Sequence, residues 1–206
     1  NANWMSARES DLDSDRFDVD RLTPVTNADG SDTAVLDDVL ELLVEDGREL
    51  PHALRMLVPE AWRGRGVGAD REAWYDFHAS LVEPWDGPAL VVATDGERVG
   101  AVLDRNGLRP CRYDVTTDGR LVMASEAGAL DHDPGDVAER GRLEPGQLFL
   151  ADPEEGRIVP DEEVFADLTD ETYAEWVEAE QVELGDLSDA AADVPPRSRA
   201  QPLRAR

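Results

Sequence analysis

Two Asp-Gly pairs, Asp95-Gly96 and Asp118-Gly119, constrain the fold of this chain more than any other feature of its sequence. Each pair lies between two short runs rich in apolar and β-branched residues, a pattern typical of tight β-hairpins. The runs are Ala89–Thr94 with Arg98–Leu103, and Cys111–Thr116 with Arg120–Ala124. A further pair is predicted around the turn 153–156, between Gln147–Ala151 and Arg157–Val159. The middle of the chain is therefore predicted to be an antiparallel meander.

Helical spacing dominates the region before the first hairpin. Ser31 or Asp32 is suited to cap a helix that ends at Gly47, because apolar residues recur at helical spacing in between. A second helix is predicted to begin near Pro51. A third is predicted over residues 70–81, ended by a proline at position 84. Helices followed by an antiparallel meander indicate an α+β layered domain.

The C-terminal part of the chain divides into a helix and a tail. A helix is predicted from Asp170 to about Leu184, with four apolar residues expected to face inward: Tyr173, Trp176, Val177 and Val182. Further on, apolar content falls, and prolines and arginines accumulate. We therefore expect one domain over residues 1–184 and an unpacked tail over residues 185–206.

Charge excludes several kinds of partner. The 206 residues include 47 acids and 20 bases, for a formal net charge of −27, and every base is arginine. Such a chain repels nucleic acid and anionic membrane, and no apolar run approaches the ~20 residues of a membrane helix. The acids are scattered along the chain, which favours solubility in concentrated salt. We expect a halophile's protein; an ordinary acidic protein from a GC-rich genome is the alternative.

The single cysteine, Cys111, excludes an intramolecular disulfide framework and a multi-cysteine zinc site, which favours a cytoplasmic setting. Arg109 and Arg112 are near it in sequence and would favour a thiolate, but Cys111 also opens a predicted strand. We expect a small buried residue rather than a nucleophile. The three histidines, His52, His78 and His132, lack metal-ligand spacing, so no metal site is predicted.

Several motifs in one order identify a family. The stretches EPWDGPA (83–89), LDRNGLRPCRY (103–113) and VMASEAG (122–128) together resemble the amidotransferase region of the glutamate synthase large subunit. The resemblance continues through NANWMSARE (1–9), GSDTAVLDDVLELL (30–43), LVPEAW (57–62), GRLEPGQLFLAD (141–152) and GRIVPDEEV (156–164). It covers about residues 1–180.

This resemblance implies a class II glutamine amidotransferase with the N-terminal-nucleophile hydrolase fold, a four-layer α/β/β/α sandwich. In that family an N-terminal cysteine attacks the glutamine side-chain amide, its own α-amino group acts as base, and an Asn-Gly pair supports the oxyanion. The released ammonia is used to make glutamate from 2-oxoglutarate, with FMN and an iron–sulfur cluster in the complete enzyme. None of these cofactors is expected in this chain.

The chain departs from the family pattern at its first residue, which is asparagine. The nucleophile and the Asn-Gly pair are expected upstream of Asn1, so the chain is expected to hold only the second half of the sandwich and no catalytic residue. It should be inactive alone, and associated or only partly folded. Its partners would be glutamine and the remainder of the large subunit, or a separately encoded chain.

One functional residue carries over from the family, and three others are candidates for the site beside it. Asp32 matches the aspartate that binds the α-amino group of glutamine, and Ser31 beside it is a further candidate for substrate binding. Asn3 and Trp4 are expected to support the oxyanion loop. Arg105, Asn106 and Arg109 are expected to serve structure, with a supporting role at the site as the alternative.

Two other functions stay open at this point. One is a nonenzymatic remnant or interaction module with the same fold, which the missing nucleophile favours equally. The other is a phosphoribosyl-type amidotransferase, which shares related motifs; EPWDGPA argues against it.

Overall fold

The computed structural model describes residues 2–27, 29–126, 128–131, 133–169 and 171–182. Seven α-helices are present in this part: α1 Ala2–Arg8, α2 Val19–Leu22, α3 Asp32–Glu45, α4 Leu50–Leu57, α5 Ala69–Leu81, α6 Asp161–Leu168 and α7 Glu171–Glu180. Its seven strands are β1 Leu90–Thr94, β2 Val99–Leu103, β3 Arg112–Thr116, β4 Leu121–Ala124, β5 Val137–Arg142, β6 Leu148–Asp152 and β7 Arg157–Val159.

The strands form two antiparallel sheets. Sheet one has the order β1-β2-β6-β7 and sheet two the order β4-β3-β5. Both Asp-Gly hairpins are confirmed: Thr94 pairs with Val99 and Val115 with Leu121. Gly96 and Gly119 have φ values of 91° and 81°, the left-handed region that glycine adopts at little cost. The pairing of β6 with β7 is confirmed as well.

Alternate residues of sheet one serve two cores. On β2, Val102 joins a core formed with the helices, whereas Ala101 and Leu103 join a core between the sheets. Helix α4 lies so close to β2 that a Cβ on Gly100 would be 2.5 Å from Leu54 Cδ1. The described residues therefore stack as helices, sheet one and sheet two, which confirms the α+β prediction.

A buried ionic cluster fixes α6 to this layer. The guanidinium of Arg55 is fully buried, donates to the carbonyl of Gly146 at 2.5 Å, and pairs with Asp161 at the start of α6. Arg71 of α5 binds the other oxygen of Asp161 at 2.6 Å and lies over the ring of Phe165. Three helices are thus joined through one carboxylate.

The predicted helices before the meander are confirmed as α3, α4 and α5. The predictions for the last helix are partly wrong. Helix α7 forms and packs on α5, but Trp176 is 47% exposed and Val182 60% exposed. Trp176 contacts the ring of Phe77 on α5 but stays at the surface, and Val182 lies beyond the end of α7 at Glu180, short of the predicted end near Leu184. The predicted tail, residues 185–206, lies outside the described residues.

Four of these elements had no counterpart in the predictions. Strand β5, VAERGR, completes sheet two by pairing with β3, and the ring of Tyr113 lies against Gly141. Helices α1, α2 and α6 were also missed. In the part of the chain that the structure describes, no helix combines the length and apolar character needed to cross a membrane.

Candidate functional site

The start of α3 presents Asp32 to solvent. Ser31 is the N-cap: its hydroxyl accepts from the backbone N–H of Ala34 at 3.2 Å. The preceding turn is tight, since a Cβ on Gly30 would lie 2.9 Å from the carbonyl oxygen of Asn27. Because Ser31 takes the capping role, the carboxylate of Asp32 is left at the first helical position. There the carboxylate lies near the positive end of the helix dipole.

The carboxylate of Asp32 is exposed and has no hydrogen-bond or ion-pair partner among the described residues. Asp38, further along α3, differs in this respect, because it accepts from the backbone N–H of Asn27 at 3.0 Å. Asp32 is thus available to a ligand cation, whereas Asp38 already holds the turn before α3 through its bond to Asn27.

A groove of about 480 Å³ reaches α3 at Thr33 and Leu36; Asp32 precedes Thr33 in sequence and is not itself part of the lining. Its remaining lining comes from three loops and one strand: Trp85, Pro88, Ala89, Leu90, Val91, Arg109, Pro110, Ser125 and Glu126. Arg109 is the one cation in this lining and has no ion-pair partner in the described part of the chain. The groove thus has an apolar floor with charges of both signs at its rim.

The lining of this groove unites the motifs that carry the family resemblance. EPWDGPA supplies Trp85 and Pro88, LDRNGLRPCRY supplies Arg109 and Pro110, and VMASEAG supplies Ser125 and Glu126. These motifs are separated in sequence, and the hairpins bring them to one end of the two sheets. Sequence reasoning treated them as signatures of a family and did not place them around one space.

Helix α1, which carries Asn3 and Trp4, packs against α3. Asn3 is exposed, and the side chain of Trp4 lies outside the described residues. Arg8 at the end of α1 binds both carboxylate oxygens of Glu83, at 2.9 and 3.1 Å, and this bond holds the pKa of Glu83 below its usual value. Asn3 and Trp4 thus belong to a helix that packs on α3 and is bound to the start of the EPWDGPA turn.

Cys111 lies between the two sheets, with 1% of its surface exposed. Burial raises the pKa of its thiol, which disfavours the thiolate that a nucleophile needs. The structure thus agrees with the interpretation of Cys111 as a small buried residue. Arg109 and Arg112 are exposed, and burial is what shifts the pKa of Cys111.

His52 and His78 meet in the helical layer, with 2.8 Å between their Nε2 atoms. Nδ1 of His78 lies 2.8 Å from the carbonyl of Trp74 and must therefore carry the proton, so Nε2 of His78 accepts from His52. Burial lowers the pKa of each ring to about 4. His132 lies outside the described residues, within which no group of three His, Cys, Asp or Glu is arranged to hold a metal ion.

Comparison with known proteins shows the class to which this chain belongs. The chain belongs to the class II glutamine amidotransferases, whose family model matches residues 1–176, and this class has the N-terminal-nucleophile hydrolase fold. Within the class, the match is to glutamate synthases, as the sequence motifs predicted.

Three relatives illustrate that match. The chain is 45% identical to the glutamate synthase (NADPH) large chain of Bacillus subtilis over 188 residues, 89% of this chain and 12% of that protein. It is 43% identical to the glutamate synthase (NADH) of Saccharomyces cerevisiae over 201 residues, 96% of this chain and 9% of that protein. It is 43% identical to ferredoxin-dependent glutamate synthase 2 of Synechocystis over 188 residues, 88% of this chain and 12% of that protein. The chain therefore spans roughly a tenth of the length of these relatives.

Proposed function

We propose that this chain forms the glutamine-binding wall of the glutaminase site in a glutamate synthase. The observation that carries the proposal is the convergence of three family motifs on one groove beside Asp32. A groove of about 480 Å³ has room for an amino acid, and its apolar floor suits the methylene groups of glutamine. Asp32 lies one residue before Thr33 of this lining, and in the proposal its exposed carboxylate reaches the edge of the groove.

In this proposal Asp32 binds the α-amino group of glutamine. An ammonium and a carboxylate form a charge-assisted hydrogen bond, and the absence of a competing partner for Asp32 in the described chain supports this role. Ser31 contributes by capping α3, which orients the first turn, and its exposed hydroxyl is a second proposed contact. Asn3 and Trp4 support the site from α1.

The attacking group comes from outside these 206 residues. Class II chemistry uses a cysteine whose own α-amino group is the base, with an Asn-Gly pair at the oxyanion. Cys111 is buried with a raised pKa, so it does not fit that role. We expect no glutaminase activity from the 206-residue polypeptide alone; glutamate release from glutamine by that polypeptide would contradict this.

The sheets support a further part of the proposal, that another half completes a four-layer sandwich. Strand β1 is at an edge of sheet one, and a groove of about 900 Å³ separates it from α3. Val92 in this strand is 54% exposed. An uncharged edge strand with an exposed apolar residue is prone to pair with another strand. We propose that the remaining half of the amidotransferase domain covers it and that the polypeptide alone associates or folds only in part.

Glutamate synthesis from 2-oxoglutarate, with FMN and an iron–sulfur cluster, would belong to other regions of the enzyme. One buried cysteine does not fit the ligation of such a cluster, which takes several thiolates. We propose a cytoplasmic enzyme on the ground of its single cysteine. We also propose adaptation to high salt, supported by the net charge of −27; retained folding of the complete protein at low salt would contradict that adaptation.

The proposed function is tested in the complete protein that contains this chain. Replacing Asp32 by Asn removes the charge that binds the α-amino group and should raise the glutamine KM of glutaminase activity roughly 100-fold, the loss of a charged hydrogen bond of about 3 kcal/mol. Asp29→Asn is the matched control, because Asp29 is an exposed aspartate in the turn before α3. An equal KM in Asp32→Asn and wild type would remove Asp32 from the site. No glutaminase activity in the complete wild-type protein would favour the interaction module.

A further inference from the structure

Asp104, in the motif LDRNGLRPCRY, joins two segments of the chain through one carboxylate. Oδ2 accepts from the backbone N–H of Ala89 at 3.2 Å and of Leu108 at 3.0 Å, and Oδ1 accepts from Asn106 at 3.0 Å. The residue is 2% exposed, and a buried carboxylate is tolerated when its oxygens are bonded in this way. The start of β1 and the turn after β2 are thus fixed to each other.

Further contacts hold the same turn. At the protein surface, Arg105 Nη2 lies 2.7 Å from Asp86 Oδ2, so an ion pair also joins the turn to EPWDGPA. Within the turn, Gly107 has a φ of 60° and packs so closely that a Cβ there would lie 2.5 Å from Pro145 Cγ. The Asp104 backbone carbonyl accepts from Gly107 N–H at 2.8 Å.

The two joined segments both line the groove that reaches α3 at Thr33 and Leu36. Ala89 and Leu90 lie in one, and Arg109 and Pro110 in the other, while Asp104 itself is absent from the lining. We propose that Asp104 is a positioning residue, which sets the width of the glutamine groove by fixing Arg109 and Pro110 relative to Ala89. This inference rests on the proposed function of the groove.

Asp104→Asn changes the bonding at nearly constant shape. An amide has one acceptor oxygen, and its NH2 group would face a backbone N–H, a donor against a donor. At least one of the three bonds is lost, and the turn that carries Arg109 moves. A purely structural role predicts lower stability alone, whereas a positioning role predicts weaker glutamine binding as well.

The test compares glutaminase kinetics of complete-protein variants. Asp104→Asn should raise the glutamine KM roughly five- to tenfold with kcat within about twofold, as expected for the loss of about 1 kcal/mol of binding. Asp95→Asn is the matched control. Asp95 lies at the opposite end of the β1–β2 hairpin, accepts from Glu97 and Arg98 at 3.0 and 2.7 Å, and is not in this groove. It should lower stability and leave the KM unchanged.

Equal KM values in Asp104→Asn and wild type would overturn the inference. Should that variant fail to fold, Arg105→Ala removes the exposed tie instead, and its KM should rise roughly twofold or more; an unchanged KM would also overturn the inference. Asp32→Asn separates the two proposals: a raised KM there without one in Asp104→Asn leaves the proposed function standing. A complete protein that does not hydrolyse glutamine overturns both.

Discussion

Asp32 and Asp104 lie near the same groove and differ in almost every physical respect. The carboxylate of Asp32 is exposed and has no partner in the described structure, whereas that of Asp104 is 2% exposed and accepts three backbone N–H groups. A carboxylate already saturated by its own chain has nothing left for a ligand. Carboxylates that hold the fold and carboxylates that bind can therefore be told apart by their partners.

Asp161 is another carboxylate that holds the fold, because it joins Arg55 of α4 to Arg71 of α5. We expect Asp161→Ala to have the largest effect on stability, about 3–5 kcal/mol, because it leaves the fully buried Arg55 without its counter-ion. Hydrogen exchange in the complete protein should show the amides of α4 and α6 opening at least 100-fold more often.

Glu163→Ala provides the control on the same helix, because Glu163 pairs with Arg157 at the surface. It should change exchange in α4 very little. Equal effects of the two substitutions would mean that partner number and burial do not separate the classes of carboxylate.

The histidine pair offers a test of the helical layer by pH. Burial lowers the pKa of His52 and His78 from 6.5 to about 4, so the unfolded chain binds more protons between these values. Stability present above pH 6.5 should fall as pH drops towards 4, by roughly 3 kcal/mol at most for one ring. Hydrogen exchange of the α4 and α5 amides should then be faster at pH 5 than the pH dependence of the intrinsic exchange rates predicts.

His52→Gln can donate one N–H to His78 and carries no titrating ring of its own. The variant should therefore show a shallower decline of stability between pH 6.5 and 4 than wild type. Parallel declines would assign the pH dependence to the carboxylates instead.

Removing the exposed carboxylate should have the smallest effect on stability. Asp32→Asn is expected to change the free energy of unfolding by less than about 1 kcal/mol, since only its favourable place near the helix N-terminus is altered. Exchange in α3 should match that of wild type. A large loss would place Asp32 among the carboxylates that hold the fold.

Sequence reasoning found the elements whose signals are local. Asp95-Gly96 determines its hairpin through turn geometry, and the apolar spacing before Gly47 determines α3. Strand β5 was missed because its sequence, VAERGR, is polar, and it forms by pairing with β3. Trp176 was placed inward by its spacing, but burial depends on what lies opposite.

The groove could be predicted only in pieces for the same reason. Asp32 and the motifs were recognised individually, but their convergence depends on strand register and on how the hairpins stack. Asp104 carried no local signal for its role. The three N–H groups that it accepts come from two loops, and the fold alone brings Ala89 to Leu108.

The recognition of the α-amino group by Asp32 is tested most directly with two substrates in the complete protein. Glutamine and glutaramic acid, which is glutamine without its α-amino group, should be compared as kcat/KM in wild type and Asp32→Asn. We predict that wild type prefers glutamine by roughly 100-fold and that Asp32→Asn reduces this preference to within a few-fold. An unchanged preference in Asp32→Asn would contradict the assignment of this aspartate to the ligand.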